Sequence, residues 1–266
     1  MKQYLLICIC LSGFYSIKAQ NHADSLFASE DYLNAAVEYE RLAFEEKKDI
    51  ASLLLKKAYC YKAIGDYREA FRTVDRISSV QNDSLNEIVS YEKVILAALS
   101  EEWAKAEYGL LMWDLKIKKE NTALEQVRFL SLISLGKINE AKTHLRQNFS
   151  KLGINSVEAN QFFRKKWKLK NPEKAYNLSL ILPGLGQMYA GKFWKGAFSG
   201  TVQLGIIGFT GYHLYHGYFF TGGMTGAALF YTFYLGGARY ARQLAEQYNE
   251  QLKSTIKQKF LAIPKK

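Results

Sequence analysis

The sequence predicts an all-α protein in two parts, a helical solenoid followed by a Gly-rich hairpin of transmembrane helices. Three observations predict it. A short pattern recurs four times at a period of 35 to 36 residues. A stretch of 43 residues, Gly196 to Ala238, holds no formally charged side chain. The charge of the chain is also divided: residues 20–163 carry 19 Lys+Arg against 22 Asp+Glu, whereas residues 164–266 carry 15 against 3. The overall +11 therefore belongs to the C-terminal part. A folded nucleic-acid domain would carry that charge on its own face, so nucleic acid is not an expected partner.

The first segment, residues 1–19, reads as a secretory signal: Lys2, then an apolar run from Tyr4 to Tyr15, then Ile17-Lys18-Ala19 before a cut. Cys8 and Cys10 lie inside it, which leaves Cys60 as the one cysteine of the mature chain. A single cysteine closes no internal disulfide, and Cys60 is expected to pack as a small apolar residue.

Residues 20–153 contain the repeats. Glu30-Asp31-Tyr32-Leu33-Asn34-Ala35 is echoed by Gly65-Asp66-Tyr67-Arg68-Glu69-Ala70, by Glu102-Trp103-Ala104-Lys105-Ala106 and by Gly136-Lys137-Ile138-Asn139-Glu140-Ala141. The anchors Tyr32, Tyr67, Trp103 and Ile138 are spaced 35, 36 and 35 apart, and the alanines Ala35, Ala70, Ala106 and Ala141 follow three residues later. Such a unit is one helix, a tight turn and a second helix. The bulky anchor fills the space between the two, and the alanine sits where they cross and only a methyl fits.

With Ala58, Tyr61, Gly65, Tyr67 and Ala70 in register, this region resembles the tetratricopeptide repeat family. It departs from that pattern in lacking the repeat-closing proline and in having Trp103 and Ile138 at the anchor. The resemblance implies a curved solenoid that binds a protein or peptide partner in its groove. Lys57, Tyr61, Lys62, Tyr91, Glu92 and Arg128 are the candidate groove residues. A spacer or self-association surface is the competing reading, with Tyr59 and Tyr61 as packing residues.

Residues 154–171 are expected to form a basic amphipathic helix, with Phe162, Phe163 and Trp167 among Arg164, Lys165, Lys166, Lys168 and Lys170. Aromatic and basic residues together favour a membrane interface.

Residues 172–240 form the predicted membrane module. Asn171-Pro172-Glu173 starts a helix that Pro183-Gly184 breaks. Two apolar segments then run from Gly196 to Tyr215 and from Phe219 to Ala238, turning near His216-Gly217. Fourteen of the nineteen glycines lie between Gly184 and Gly237, where small residues allow close helix packing. The run Pro183-Gly184-Leu185-Gly186-Gln187-Met188-Tyr189-Ala190-Gly191-Lys192 resembles the TM2-type membrane domain in its bacterial form, Pro-Gly-x-Gly-Gln-x-Tyr-x-Gly. That resemblance carries no agreed activity. Membrane lipids and an intramembrane helix partner are the contacts that the charge-free, Gly-rich segments imply.

Residues 241–266 are a basic tail. Two spans would return it to the side of the repeats. Three spans, with Ala175 to Tyr189 as a short broken one, would place it opposite, as the positive-inside tendency favours. Both remain open. The leader and the helical spans together imply an inner membrane with the solenoid periplasmic.

No HExxH, CxxC pair or GxSxG turn occurs, and His213 and His216 have no acid or cysteine near them in sequence. No enzymatic activity, metal or cofactor is expected. The expected function is that of a membrane-anchored scaffold or adaptor. An accessory subunit of a transport or insertion complex is the alternative.

Overall fold

A computed structural model of the chain describes residues 22–45, 49–78, 80, 82–162 and 167–264. The leader at 1–19 lies outside these residues, as do Phe163, Arg164, Lys165 and Lys166. All regular structure among them is helical. The helices are α1 (22–28), α2 (Tyr32–Glu45), α3 (Ile50–Ala63), α4 (Tyr67–Asp75), α5 (Asp83–Leu99), α6 (Trp103–Lys116), α7 (Thr122–Ser134) and α8 (Ile138–Gln147). They continue with α9 (Ser156–Phe162), α10 (Pro172–Ile181), α11 (Leu185–Tyr189), α12 (Phe193–Tyr215) and α13 (Phe219–Leu261). The described residues divide into two compact units, 22–156 and Val157–Pro264.

In the first unit, successive helices pack on one another from α2 to α8. The four predicted anchors Tyr32, Tyr67, Trp103 and Ile138 are the first residues of α2, α4, α6 and α8. The four alanines behind them are fully buried. Of the anchors only Ile138 is itself buried. Tyr67 keeps 37% of its surface exposed, so the crossing is set more by the alanine than by the ring.

Each pair turns in the same way. The backbone N–H of Asp31, Asp66, Glu102 and Lys137 donates to the carbonyl five residues earlier, on Leu26, Tyr61, Ala97 and Leu132. This bond satisfies a carbonyl that the ending helix leaves unpaired. The residue just before each donor has a positive φ: Glu30 (64°), Gly65 (80°), Glu101 (62°) and Gly136 (79°). Glycine accepts this conformation freely, whereas a Cβ makes it cost about 1–2 kcal/mol. Two of the four turns thus carry a strained glutamate. Glu101→Gly is expected to raise stability by about 0.5–1 kcal/mol after the entropic cost of glycine. Thermal unfolding checks it, with Gly65→Ala as the converse. An unchanged midpoint for both would remove the strain argument.

Ion pairs stitch the pairs together at about one repeat length. Examples are Arg76–Glu40, Lys62–Glu92, Lys119–Glu87, Lys137–Glu107 and Lys151–Glu120, with sequence separations of 30 to 36. Cys60 is fully buried, and burial pushes its thiol up to about 11, as a packing residue rather than a nucleophile.

In the second unit, α12 and α13 form an antiparallel hairpin through Gly217 (φ 81°). The α10 helix lies antiparallel along the middle of α13. Lys170 N donates to Asn249 Oδ1 at 2.8 Å, Arg242 pairs with Glu173 at 2.8 Å, and the Tyr234 hydroxyl donates to Leu180 O. Three expectations change here. The α13 helix runs unbroken through residue 240, so most of the predicted tail is helix, with Ile256 and Phe260 fully buried.

Among its described residues, the basic linker is helical over Ser156–Phe162 and irregular over 167–171. Two of its aromatics meet the end of α13: Phe162 lies edge-on to Phe260, and Lys259 sits 5.0 Å from the Trp167 ring. They are therefore partly withdrawn from any interface.

Lastly, among the described residues no helix is long and apolar enough to cross a membrane. The α10 and α11 helices are 10 and 5 residues long, too short for the third span. The glycines, Gln203, Thr210 and His213 dilute the apolar content of α12, and α13 becomes charged beyond Ala238.

Candidate functional site

The candidate groove residues do not converge on one site, and most of their charge is already neutralised. Lys57 Nζ donates to Glu40 at 2.8 Å and lies 5.6 Å from the Tyr61 ring. Arg76 donates to both oxygens of the same carboxylate, at 2.7 and 3.0 Å. Arg76 foremost, then Lys57, holds the Glu40 carboxyl at about 2, well below the ordinary carboxylate range. Tyr61 is half-buried between two apolar clusters, as the packing alternative has it.

Lys62 donates to both oxygens of Glu92, at 2.8 and 3.0 Å, and the Glu92 side chain is only 8% exposed. Burial, and then Glu92, push the neighbouring Tyr59 hydroxyl up to about 12. Arg128 pairs with Asp114 at 2.9 Å and approaches Glu125 at 3.5 Å. On the other side of Glu125, burial holds His144 below its ordinary value, against the pull of that carboxylate. Tyr91 rests edge-on against Trp113, 6.4 Å between centroids. The two rings line an open depression with Ser84, Glu87, Ile88 and Asn121. Of the six candidates, Tyr91 is the one left with an open surface and no charge to unpair.

The Pro-Gly-x-Gly-Gln motif is a helix crossing. Gly184 has a φ of 95°, and a Cβ there would stand 2.1 Å from Gly196 O. A Cβ on Gly186 would stand 1.9 Å from Ala175 O and 2.4 Å from Ser179 Oγ. Gly196 is equally tight against Gly184 O, at 2.4 Å. These approaches bring α10, α11 and α12 together, and Gln187 binds the crossing. It is 1% exposed. Its amide nitrogen donates to Gly237 O at 3.1 Å and to Ser199 Oγ at 3.4 Å, and its carbonyl accepts from Ser179 Oγ at 3.3 Å. Ser179 in turn accepts from Gly186 N at 3.1 Å. One buried amide thus ties four helices.

Tyr189 and Gly191 close the motif: Tyr189 O accepts from Lys170 Nζ at 2.6 Å, and its hydroxyl accepts from Asn171 N at 3.1 Å. Gly191 has a φ of 88°. Pro183 O faces Gly200, and Lys192 precedes α12 as its exposed cap residue. The motif residues therefore build the fold. Ser179, Ser199 and Gly237, which complete the network, carry no motif signal because their partners are 8, 12 and 50 residues away.

Above Gln187, α12 and α13 leave a groove of about 660 Å³ lined by Trp194, Phe198, Val202, Phe233, Gly236 and Tyr240, among others. At its rim Lys195 Nζ donates to Tyr240 Oη at 2.6 Å. Among the described residues no cluster of His, Cys, Asp or Glu could hold a metal ion.

No curated protein and no solved structure matches the chain. Residues 168–259 match the model of a family of unknown function, DUF5683, a span that takes in the glycine crossing and the hairpin and leaves out the repeats.

Proposed function

We propose that the protein is a membrane-bound adaptor. The helix pairs form a tetratricopeptide-like solenoid that presents a surface to a protein or peptide partner, and the α12–α13 hairpin seats the chain in a bilayer. The observation that carries this reading is the exterior of the hairpin. Trp194, Phe198, Leu204, Tyr215, Phe219 and Phe220 are each more than 70% exposed, with Ile207, Met224, Tyr231 and Phe233 at half or more. Gln203 and Thr210 turn inward: Gln203 is 3% exposed and donates to Phe230 O at 3.3 Å, and Thr210 donates to Ile206 O at 2.8 Å, while the exposed Thr201 and Thr232 hydroxyls donate to the carbonyls of Ala197 and Ala228 on their own helices. Average hydropathy undervalues such a helix, because these hydroxyls and the buried amide are satisfied within the fold while large apolar side chains face out. A continuous exposed apolar surface of this kind calls for lipid or an apolar partner.

The basic residues flanking the charge-free stretch, Lys192 and Lys195 before it and Arg239 and Arg242 after it, gather at one end of the hairpin, as the Lys195–Tyr240 bond requires. That end suits anionic headgroups. With the leader at 1–19, the reading places the repeats on the periplasmic side of an inner membrane. The repeated turn supports the adaptor half. The open depression beside Tyr91 and Ile88 is the favoured contact, where the one charged lining residue, Glu87, is already paired with Lys119.

Flotation of the expressed chain with native membranes tests the seating. The wild type is expected to float, and Phe219→Ser with Phe220→Ser to reduce the bound fraction well over tenfold, from about 1.5–3 kcal/mol per buried ring. A wild-type chain recovered soluble and monodisperse without detergent would overturn the proposal.

An intramembrane partner is the second reading, that of an accessory subunit. It is favoured by Gly205, Gly208 and Gly211, where an added Cβ would meet nothing within 4 Å. Gentle extraction followed by mass spectrometry separates the two: an adaptor loses its co-purifying protein in Tyr91→Ala, an accessory subunit in Gly208→Leu.

A further inference from the structure

We propose that the cavity enclosed by α4, α5 and α6 binds a small phosphate monoester whose organic part is apolar. This inference is independent of the membrane reading, since the cavity lies wholly within the repeats. The cavity measures about 450 Å³, the size of a small-molecule site. Four charged side chains line it: Lys93, Lys105 and Lys116 against Asp75.

The three ammonium groups are set apart from the paired lysines elsewhere in the repeats. Lys93 Nζ donates to a backbone carbonyl, Ile77 O, at 2.7 Å. Lys105 comes no nearer than 3.9 Å to Glu102 and lies 5.0 Å from the Phe71 ring. No hydrogen bond or ion pair of Lys116 occurs among the described residues. Lys57, Lys62, Lys119, Lys137 and Lys151, by contrast, each hold a carboxylate at 2.5 to 3.0 Å. The cavity therefore gathers three positive charges and one negative in a region, residues 20–163, whose total charge is negative.

Lys93 is half-buried. Burial lowers its pKa and Lys116 lowers it further, while Asp75 raises it. Two ammonium groups thus repel across the cavity, and an anion between them would relieve that repulsion.

Charge and shape choose among anions. The lining sums to two positive charges, and a phosphate monoester carries about −1.5 to −2 near neutrality, against −1 for a carboxylate. Asn86 and Ser90 add neutral hydrogen-bonding groups. Phe71, Val89 and Met112 form an apolar wall that a bare phosphate would leave empty. A long polyanion is disfavoured by the acidic balance of the repeats, 19 Lys+Arg against 22 Asp+Glu over residues 20–163.

Calorimetric titration of the full chain with phenyl phosphate, benzoate and phenol tests the proposal. Phenyl phosphate is expected to bind with a Kd of about 1 mM or tighter. Benzoate should bind roughly tenfold more weakly, and phenol should show no binding. Lys116→Gln and Lys93→Gln should each weaken phenyl phosphate binding about tenfold, whereas Asp75→Asn should strengthen it. Lys116 and Asp75 are exposed, so their variants decide the matter even if Lys93→Gln does not fold. Binding of phenol as tight as phenyl phosphate would reduce the site to an apolar hole. Phenyl phosphate binding unchanged by Lys116→Gln and Asp75→Asn, or none at about 10 mM, would overturn the proposal.

Discussion

Gly186→Ala is expected to lower stability by about 3 kcal/mol or more, one of the largest effects of any single methyl in this chain. The new Cβ would stand 1.9 Å from Ala175 O, a backbone atom in the body of α10 that no rotamer change can move aside. The α10 and α11 helices must separate, and separation breaks the Gly186 N to Ser179 Oγ bond and the buried Gln187 network with it. Each buried polar group left unpaired then adds about 1–3 kcal/mol.

Gly208→Ala is the internal control. Nothing lies within 4 Å of its added Cβ, so the same methyl should stabilise α12 by about 0.5–1 kcal/mol through helix propensity alone. Thermal unfolding in detergent reads both. Opposite signs are the expected result. Equal midpoints for Gly186→Ala and wild type would show that the crossing does not hold the unit together.

These two glycines also show what was legible in the sequence. Periodicity places the repeats closely: the anchors at 35 and 36 residue spacings become the first residues of four helices, and the alanines behind them are buried. Register was readable because it depends on local turn chemistry repeated four times. The role of the glycines was readable only in part. Gly184, Gly186, Gly196 and Gly226 do meet neighbouring atoms closely, but Gly205, Gly208 and Gly211 face open space, and composition cannot tell the two sets apart.

The linker misled for a related reason. Phe162 and Trp167 have the composition of an interface, yet their partners are Phe260 and Lys259, almost a hundred residues on. The charged groove candidates Lys57, Lys62 and Arg128 find their counter-ions on neighbouring helices 17, 30 and 14 residues away, at distances no single helix pattern reports. Lys93, Lys105 and Lys116 were invisible for the same reason, since they face one cavity from two helices.

Lys62→Met is expected to cost about 2–3 kcal/mol, and most of that should return in the double variant Lys62→Met with Glu92→Gln. The Glu92 side chain is 8% exposed, and Lys62 supplies two of its hydrogen bonds. With Lys62 gone, a carboxylate is left out of water beside the Tyr59 hydroxyl, which cannot neutralise it. The figure stays below that of a fully buried pair because Lys62 is 34% exposed and water screens it in part. Neutralising Glu92 removes the uncompensated charge, so the two substitutions should be far from additive.

The cycle bears on function as well as on stability. If Lys62 and Glu92 serve the fold, the double variant should keep the partner that Tyr91→Ala loses, because a partner seated on Tyr91 and Ile88 never touches the pair. Chemical denaturation of the four proteins measures the coupling, and co-purification from native membranes measures the partner. Additive destabilisation would assign the pair no mutual role. Loss of the partner in a double variant that remains folded would move the binding surface back onto these two charges.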